Sequence, residues 1–284
     1  MKRILTFILT LTLALSFCVN SFAAATTATA SETQTGTSEA QTDTSKTQAG
    51  TSEAQTDTSK VQAGASYGIS NLSGAPDIVA ESAVVMDANT GTILYGKEAD
   101  TKRYPASITK VMTALLAVEN CKMSDVITYS NAAVNGIEAG SSTAGINVGA
   151  KLTVEDSLYA LMLVSANEAA AAIAEHISGS TTEFAKLMTK RAKELGCTNT
   201  QFKNPHGLPN EEHYTTAHDM AIIFDAALKN DVFRYVDSTA TYTIPATNKY
   251  GERNCTSTNQ LINGARPYEG VYAGKTGHTA KAGR

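Results

Sequence analysis

Residues 37–50 read TSEAQTDTSKTQAG and residues 51–64 read TSEAQTDTSKVQAG, two 14-residue units that differ only at Thr47 and Val61. Between Phe22 and Tyr67 there is no aromatic residue, and Val61 is the one large aliphatic. A stretch so poor in apolar side chains cannot bury enough surface to offset the entropy of ordering its backbone. A fixed period can signal a solenoid, but stacking needs a hydrophobic face on every repeat, and these units have none. Residues 24–75 therefore read as a flexible, low-complexity polar spacer. Folding is confined to Pro76–Arg284, a stretch of 209 residues, enough for one real core.

Ahead of the spacer, Lys2 and Arg3 precede an apolar run from Ile4 to about Val19, followed by Ser21-Phe22-Ala23-Ala24. A positive start, a short apolar core and small residues at −3 and −1 form a signal-peptide pattern, with cleavage after Ala23. Residues 1–23 are thus read as a signal peptide and the protein as exported. No later apolar run reaches the roughly 18 residues of a membrane span. The formal net charge is −4, which offers nucleic acid no basic footprint. Cys121, Cys197 and Cys255 remain after signal removal; no pair has metal-ligand spacing, and they read as small buried hydrophobes.

Within the folded part, Ser82–Asp87 and Thr92–Tyr95 flank Asn89-Thr90-Gly91 and predict a β-hairpin. Ser107–Glu119 places Ile108, Val111, Met112, Leu115 and Leu116 at helical spacing. Thr153, Ser180 and Thr216, each with an acidic residue three positions on, predict three helix N-caps. Gly196 is placed to end the helix that starts near Thr181. Strand signals return at Thr241–Ile244 and Val271–Thr276. Strands at both ends with helices between them indicate an α/β or α+β domain.

Three short motifs carry the chemistry. Ser107-Ile108-Thr109-Lys110 is an S-x-x-K at a helix start. Residues i and i+3 share a helix face, so Lys110 stands beside the Ser107 hydroxyl. Serine is a weak nucleophile that needs an adjacent base, and a desolvated lysine can be one. The helix start also offers N–H groups to a developing oxyanion. Lys275-Thr276-Gly277 follows Gly274. Two glycines let a ligand backbone approach, while Lys275 supplies charge and Thr276 a hydroxyl donor. Ser165-Ala166-Asn167 lies between two helical stretches, Val154–Val164 and Glu168–Ile177; a competing S-x-N, Ser257-Thr258-Asn259, lies in an expected loop. Alone, S-x-x-K and either S-x-N are close to chance at average composition, whereas K-T-G is rarer, with roughly a one-in-ten chance of arising at random. His206 and His218 are available as bases; His206 reads as a structural loop residue, and His218, two residues past a cap threonine, is the weaker candidate. Gly136–Gly149 lacks a phosphate-loop pattern and reads as a loop near the cleft.

The order of the motifs, with S-x-N 58 residues after S-x-x-K and K-T-G 110 residues further on, resembles the penicillin-binding-protein and serine β-lactamase superfamily. Pro105–Lys110, Ser165–Ala169, Asn204-Pro205-His206-Gly207-Leu208 and Lys275–Thr279 are similar to the D-alanyl-D-alanine carboxypeptidases, the low-molecular-mass penicillin-binding proteins. Ala166 departs from the superfamily signature, which has Asp there. The resemblance implies an α/β, β-lactamase/transpeptidase-like fold: an antiparallel sheet flanked by helices, with a helical subdomain. It implies that Ser107 attacks the penultimate D-alanine carbonyl of a peptidoglycan stem peptide while Lys110 takes its proton. Ser165 passes a proton to the leaving D-alanine, and Asn167 holds the substrate amide. Lys275 tunes the field, Thr276 binds the terminal carboxylate, Gly277 leaves room, and the N–H groups of Ser107 and His278 form the oxyanion hole. Water releases the acyl-enzyme without metal or cofactor, and β-lactams inhibit by acylating the same serine. The implied setting is extracytoplasmic, at the cell wall or the outer face of the cytoplasmic membrane, in peptidoglycan biosynthesis and cell shape.

Seven residues follow Gly277, where the family continues with further strands, a helix and often a membrane-associating tail; residues 76–284 are therefore read as a C-terminally truncated domain. Two other readings remain. A serine β-lactamase of this fold needs a deacylating carboxylate, and no clear E-x-x-L-N-like segment lies between Asn167 and Lys275. A non-catalytic wall-binding protein need not keep a nucleophile and its base. Because the spacer has no apolar face, deleting residues 24–75 is expected to leave the melting temperature and the activity on a soluble peptide unchanged. A large fall in melting temperature after that deletion would contradict the reading.

Overall fold

The structure is a computed structural model that describes residues 77–283. The signal-peptide and spacer readings, on residues 1–23 and 24–75, lie outside the described residues. The folded part opens with β1 (Ala83–Met86) and β2 (Ile93–Lys97), the hairpin expected from the sequence, paired antiparallel with Ala83 opposite Lys97. A 3-10 turn, Ala106–Thr109, leads into α1 (Lys110–Asn120). β3 (Val126–Thr128), α2 (Asn131–Asn135) and β4 (Lys151–Thr153) follow, with Ile127 opposite Leu152. Then come α3 (Val154–Leu163), α4 (Asn167–Ser178), α5 (Thr181–Glu194), α6 (Ala217–Leu228) and α7 (Asp231–Asp237). The last ladder pairs β5 (Thr241–Ile244) with β6 (Arg253–Thr256), Tyr242 opposite Cys255. The described residues thus hold helices and three separate two-stranded antiparallel ladders, a mixed α/β architecture.

Local chemistry sets the helix starts. The hydroxyls of Thr153, Ser180 and Thr216 accept the N–H groups of Asp156, Glu183 and Asp219, satisfying donors that a helix start leaves unpaired. Gly196 follows α5 with φ +95°, a conformation that costs glycine nothing.

The core sits around α1 and α4. Residues Lys110–Ala117 of α1 are buried without a break, so this helix has no wet face over its first two turns. The sequence pattern predicts only a stripe. The difference arises because α3, α4, α5, α6 and α7 all pack on α1. A helix surrounded in this way must be buried all round. α4 reaches the same depth with small side chains: Ala169–Ala172 and Ala174 are buried, together with Ile173, and the absence of bulk allows close approach of its neighbours. Cys121, Cys197 and Cys255 are free thiols, the latter two buried.

One expected strand is corrected. Residues 271–278 are not in a strand, because no neighbouring segment pairs with them in a ladder among the described residues. Side chains from residues 258 and 259 hold this stretch instead.

The loop at 204–208 packs against the 3-10 turn by a backbone approach that only glycine allows. Gly207 has φ +88°, and a β-carbon there would lie 1.8 Å from the carbonyl oxygen of Ala106. Gly196, in the same region of φ, has nothing within 4 Å of such a carbon. Gly196→Ala should incur only the left-handed strain of about 1–2 kcal/mol. Gly207→Ala adds a steric collision and is expected to lower the melting temperature by at least twice as much. Equal shifts in the two variants would show that the contact with Ala106 is unimportant.

Candidate active site

The site begins at a strained backbone. Ala106 has φ +48°, an unfavourable value for a residue with a β-carbon. Pro105 fixes the chain before it, and Gly207 sits on its carbonyl. The turn brings out Ser107, which is half-buried, at the mouth of the 3-10 segment. One turn on, Lys110 is fully buried, with 0% exposure. Its Nζ donates to Ser107 Oγ at 3.0 Å and to the His206 carbonyl oxygen at 2.8 Å. The expected i, i+3 juxtaposition is therefore present. Burial, and then the nearby charge of Lys275, hold the Lys110 ammonium well below the ordinary lysine range, opposed by Glu168. A buried lysine so tuned can exist as the neutral amine that accepts a proton.

The loop bearing His206 is laced to α1 along two turns. Thr113 Oγ1 donates to the Pro205 carbonyl at 2.6 Å. Thr109 Oγ1 lies 2.9 Å from His213 Nε2, while His213 Nδ1 accepts the Lys203 N–H at 3.0 Å. Accepting at Nδ1 leaves the neutral ring's proton on Nε2, so His213 donates to Thr109. Burial keeps His213 neutral, its pKa pushed down to about 4. His206 is held down to about 3 by burial and the nearby Lys110 and His213. Its ring accepts the Leu208 N–H at 3.2 Å, so its contribution to Lys110 comes through the backbone. The sequence did not single out His213; a lone buried histidine carries no pattern. His218 lies 3.0 Å from Asp100 and belongs to another part of the molecule's surface.

Ser165 and Asn167 occupy the junction of α3 and α4, as the sequence suggests. Ser165 has φ +61°. Both are buried, and Ser165 Oγ and Asn167 Oδ1 have no hydrogen-bond partner among the described residues. Buried polar atoms left open in this way are costly, and a substrate amide or hydroxyl would satisfy them. The Asn167 N–H donates to Ser142 O at 2.9 Å, which places the glycine-rich loop beside this turn.

Lys275, Thr276 and Gly277 lie across the 3-10 turn. A β-carbon on Gly277 would stand 3.0 Å from both the Ser107 and Ile108 nitrogens, over the N–H groups of the turn. Lys275 is half-buried, its Nζ turned onto Thr276 O at 2.7 Å. Burial lowers its pKa to about 8, opposed by Asp237. Asp237 is itself 4% exposed and pushed up to about 6 by burial, opposed by the nearby Gly274 backbone amide and the charge of Lys275. Thr276 and His278 are exposed. The competing Ser257-Thr258-Asn259 turns out to support this segment: Thr258 Oγ1 meets Thr276 Oγ1 at 2.7 Å, and Asn259 Nδ2 donates to Gly274 O at 3.0 Å. Among the described residues, no cluster of His, Cys, Asp or Glu has an arrangement suited to a metal ion.

A family model described as D-alanyl-D-alanine carboxypeptidase matches residues 70–284. The chain is 40% identical over 209 residues to D-alanyl-D-alanine carboxypeptidase DacF of Bacillus subtilis, covering 72% of this chain and 52% of that protein. It is 32% identical over 223 residues to DacA of Escherichia coli K12, covering 75% and 53%. The chain thus spans about half the length of these curated relatives. Among solved structures, the DD-transpeptidase of Streptomyces strain K15 superposes with a TM-score of 0.68 at 34% identity, covering 73% of this chain and 83% of that one. The D-alanyl-D-alanine carboxypeptidase structure from Mycobacterium tuberculosis H37Rv gives 0.66 at 30% identity, covering 72% and 75%. With a lysine amine buried against a serine hydroxyl and these matches over the whole folded part, the chain belongs to the D-alanyl-D-alanine carboxypeptidase family.

Proposed function

We propose that the protein is an extracytoplasmic serine carboxypeptidase that removes the terminal D-alanine from peptidoglycan stem peptides and is inhibited by β-lactams. The observation that carries this reading is the fully buried Lys110 with its Nζ 3.0 Å from Ser107 Oγ. A lysine without solvent access and beside a second cation gives up its proton readily. The neutral amine takes the Ser107 proton as Oγ attacks the penultimate carbonyl. The developing oxyanion is received by the Ser107 N–H, beside which Gly277 leaves space, and by the His278 N–H. Ser165 relays the proton to the departing D-alanine, and Asn167 receives the substrate amide. Lys275 and Thr276 attract the terminal carboxylate, which a β-lactam's own carboxylate imitates. Water then hydrolyses the acyl-enzyme.

Ser107→Ala removes the nucleophile without disturbing the 3-10 turn. It should abolish both labelling by a fluorescent penicillin and D-alanine release from a soluble D-alanyl-D-alanine peptide, with unfolding unchanged. Labelling of this variant at the wild-type rate would refute the assignment.

The pH dependence follows from the two lysines. The Lys110 amine is available only above its lowered pKa, so acylation rises with pH on the acid side. Lys275 keeps its charge below a pKa of about 8 and loses it as pH rises through that value, weakening the hold on a carboxylate. Acylation by a carboxylate-bearing ligand should therefore decline above pH of about 8. Lys275→Arg retains its charge to a pKa above about 12 and should move that decline up by a unit or more, whatever its effect on the maximum. An alkaline limb in the same place in both proteins would remove Lys275 from this role.

A further inference from the structure

The Ser165–Asn167 turn needs something to hold it. Ser165 is left-handed at φ +61°, an unfavourable conformation for a residue with a β-carbon. On its inner side, the Ala166 N–H donates to Ala160 O of α3 at 3.0 Å. On its outer side, the sole backbone bond to the neighbouring loop runs from the Asn167 N–H to Ser142 O. That loop is fastened by two buried side chains of opposite charge. Glu168, 2% exposed, uses one oxygen, Oε1, to accept from Thr143 Oγ1 at 2.6 Å, the Ala144 N–H at 2.7 Å and the Ile146 N–H at 3.3 Å. Arg253 of β6, 9% exposed, reaches from the other side, and its Nη2 donates to Gly145 O at 2.9 Å. Two peptide units are thus gripped: unit 143–144 by the anion at its N–H, and unit 145–146 by the anion at its N–H and by the cation at its carbonyl.

The grip brings the loop little apolar burial in return. Of residues 142–146, only Ile146 is buried, and Ser142, Thr143 and Gly145 are exposed. Glu168 Oε2 and Arg253 Nη1 are each buried without a partner. Burying two ions with an atom of each unsatisfied is expensive, and for stability alone an apolar pair would serve as well or better. What the two charges supply is a fixed position for the segment that abuts Asn167.

We infer that Glu168 and Arg253 form a latch on residues 142–146, and that through this latch Glu168 is a positioning residue for acyl transfer at the Ser165–Asn167 turn. The kinetic half of this inference rests on the function proposed above; the latch itself does not. Glu168 directly follows the S-x-N in sequence but contacts the loop, so it acts by holding the turn's outer strut.

The test combines acylation kinetics with amide exchange on the protein and its variants. Glu168→Ala should lower the saturating acylation rate with a fluorescent penicillin by about ten-fold or more, as expected when a reacting group is displaced by a fraction of an ångström. The half-saturating concentration should change far less. Amide exchange at Ala144 and Ile146 should quicken at the same time. Glu168→Gln keeps an acceptor at the same place and should restore most of the rate and the protection. Arg253→Met should also slow acylation, and combined with Glu168→Ala it should be no slower than Glu168→Ala alone. If Glu168→Ala does not fold, Thr143→Val, at an exposed position, removes one latch bond together with the loop's own Gly145 N–H bond to the Thr143 hydroxyl, and should give a smaller loss of the same kind.

A wild-type saturating rate in Glu168→Ala, or in Thr143→Val where that variant must stand in, would overturn the inference. So would a Glu168→Gln variant as slow as Glu168→Ala, or independent losses from Glu168 and Arg253. A wild-type protein that does not label at all would overturn the proposed function and, with it, the positioning role. Amide exchange at Ala144 and Ile146 would still decide whether the latch exists.

Discussion

An ammonium group with no access to water must find acceptors or release its proton, and the packing around α1 is organised around that demand at Lys110. Its two acceptors are the Ser107 hydroxyl, one turn away, and the His206 carbonyl, 96 residues further along the chain. The second requires the 203–213 loop to lie flat against α1. The Thr113–Pro205 and Thr109–His213 bonds keep it there, with Gly207 pressed onto Ala106. His213 is useful here because it is neutral: it donates from one nitrogen and accepts with the other, and burial keeps it from charging.

The same demand sets the electrostatics of the cleft. Lys110 is depressed by burial and by Lys275, while Glu168 pulls the other way. Lys275 is moderated in turn by the buried carboxylate of Asp237. Each cation that serves the chemistry therefore has a buried carboxylate in its field that makes no direct ion pair with it among the described residues. A direct pair would fix the charge on the lysine, whereas a carboxylate at a distance biases the proton without capturing it.

Much of this was legible in the sequence wherever the controlling interaction is short-range. The caps at Thr153, Ser180 and Thr216, the β1–β2 hairpin and the Ser107–Lys110 pair all depend on residues within a few positions of one another. The preference for Ser165-Ala166-Asn167 over Ser257-Thr258-Asn259 as the motif at the α3–α4 junction also agrees with the structure, because a helix junction can be read from flanking periodicity. Residues 271–276 read as a strand, yet strand propensity cannot supply the neighbour that a ladder needs. The stripe read on α1 understated its burial, since periodicity reports one face and not the number of helices that pack around it.

The meeting of Ser107 and Lys110 was settled by the sequence, because a serine and a lysine three residues apart on a helical turn come together whatever the rest of the chain does. Only the tertiary structure decided what surrounds those side chains: the His206 carbonyl that receives Lys110, the Gly207 approach, the charge of Asp237 near Lys275, and the loop held by Glu168 and Arg253. The physical reason is that most of these partners are backbone groups or lone charges brought together from distant segments. Every residue owns a carbonyl and an N–H, so their use leaves no mark on the sequence until the chain has folded around them.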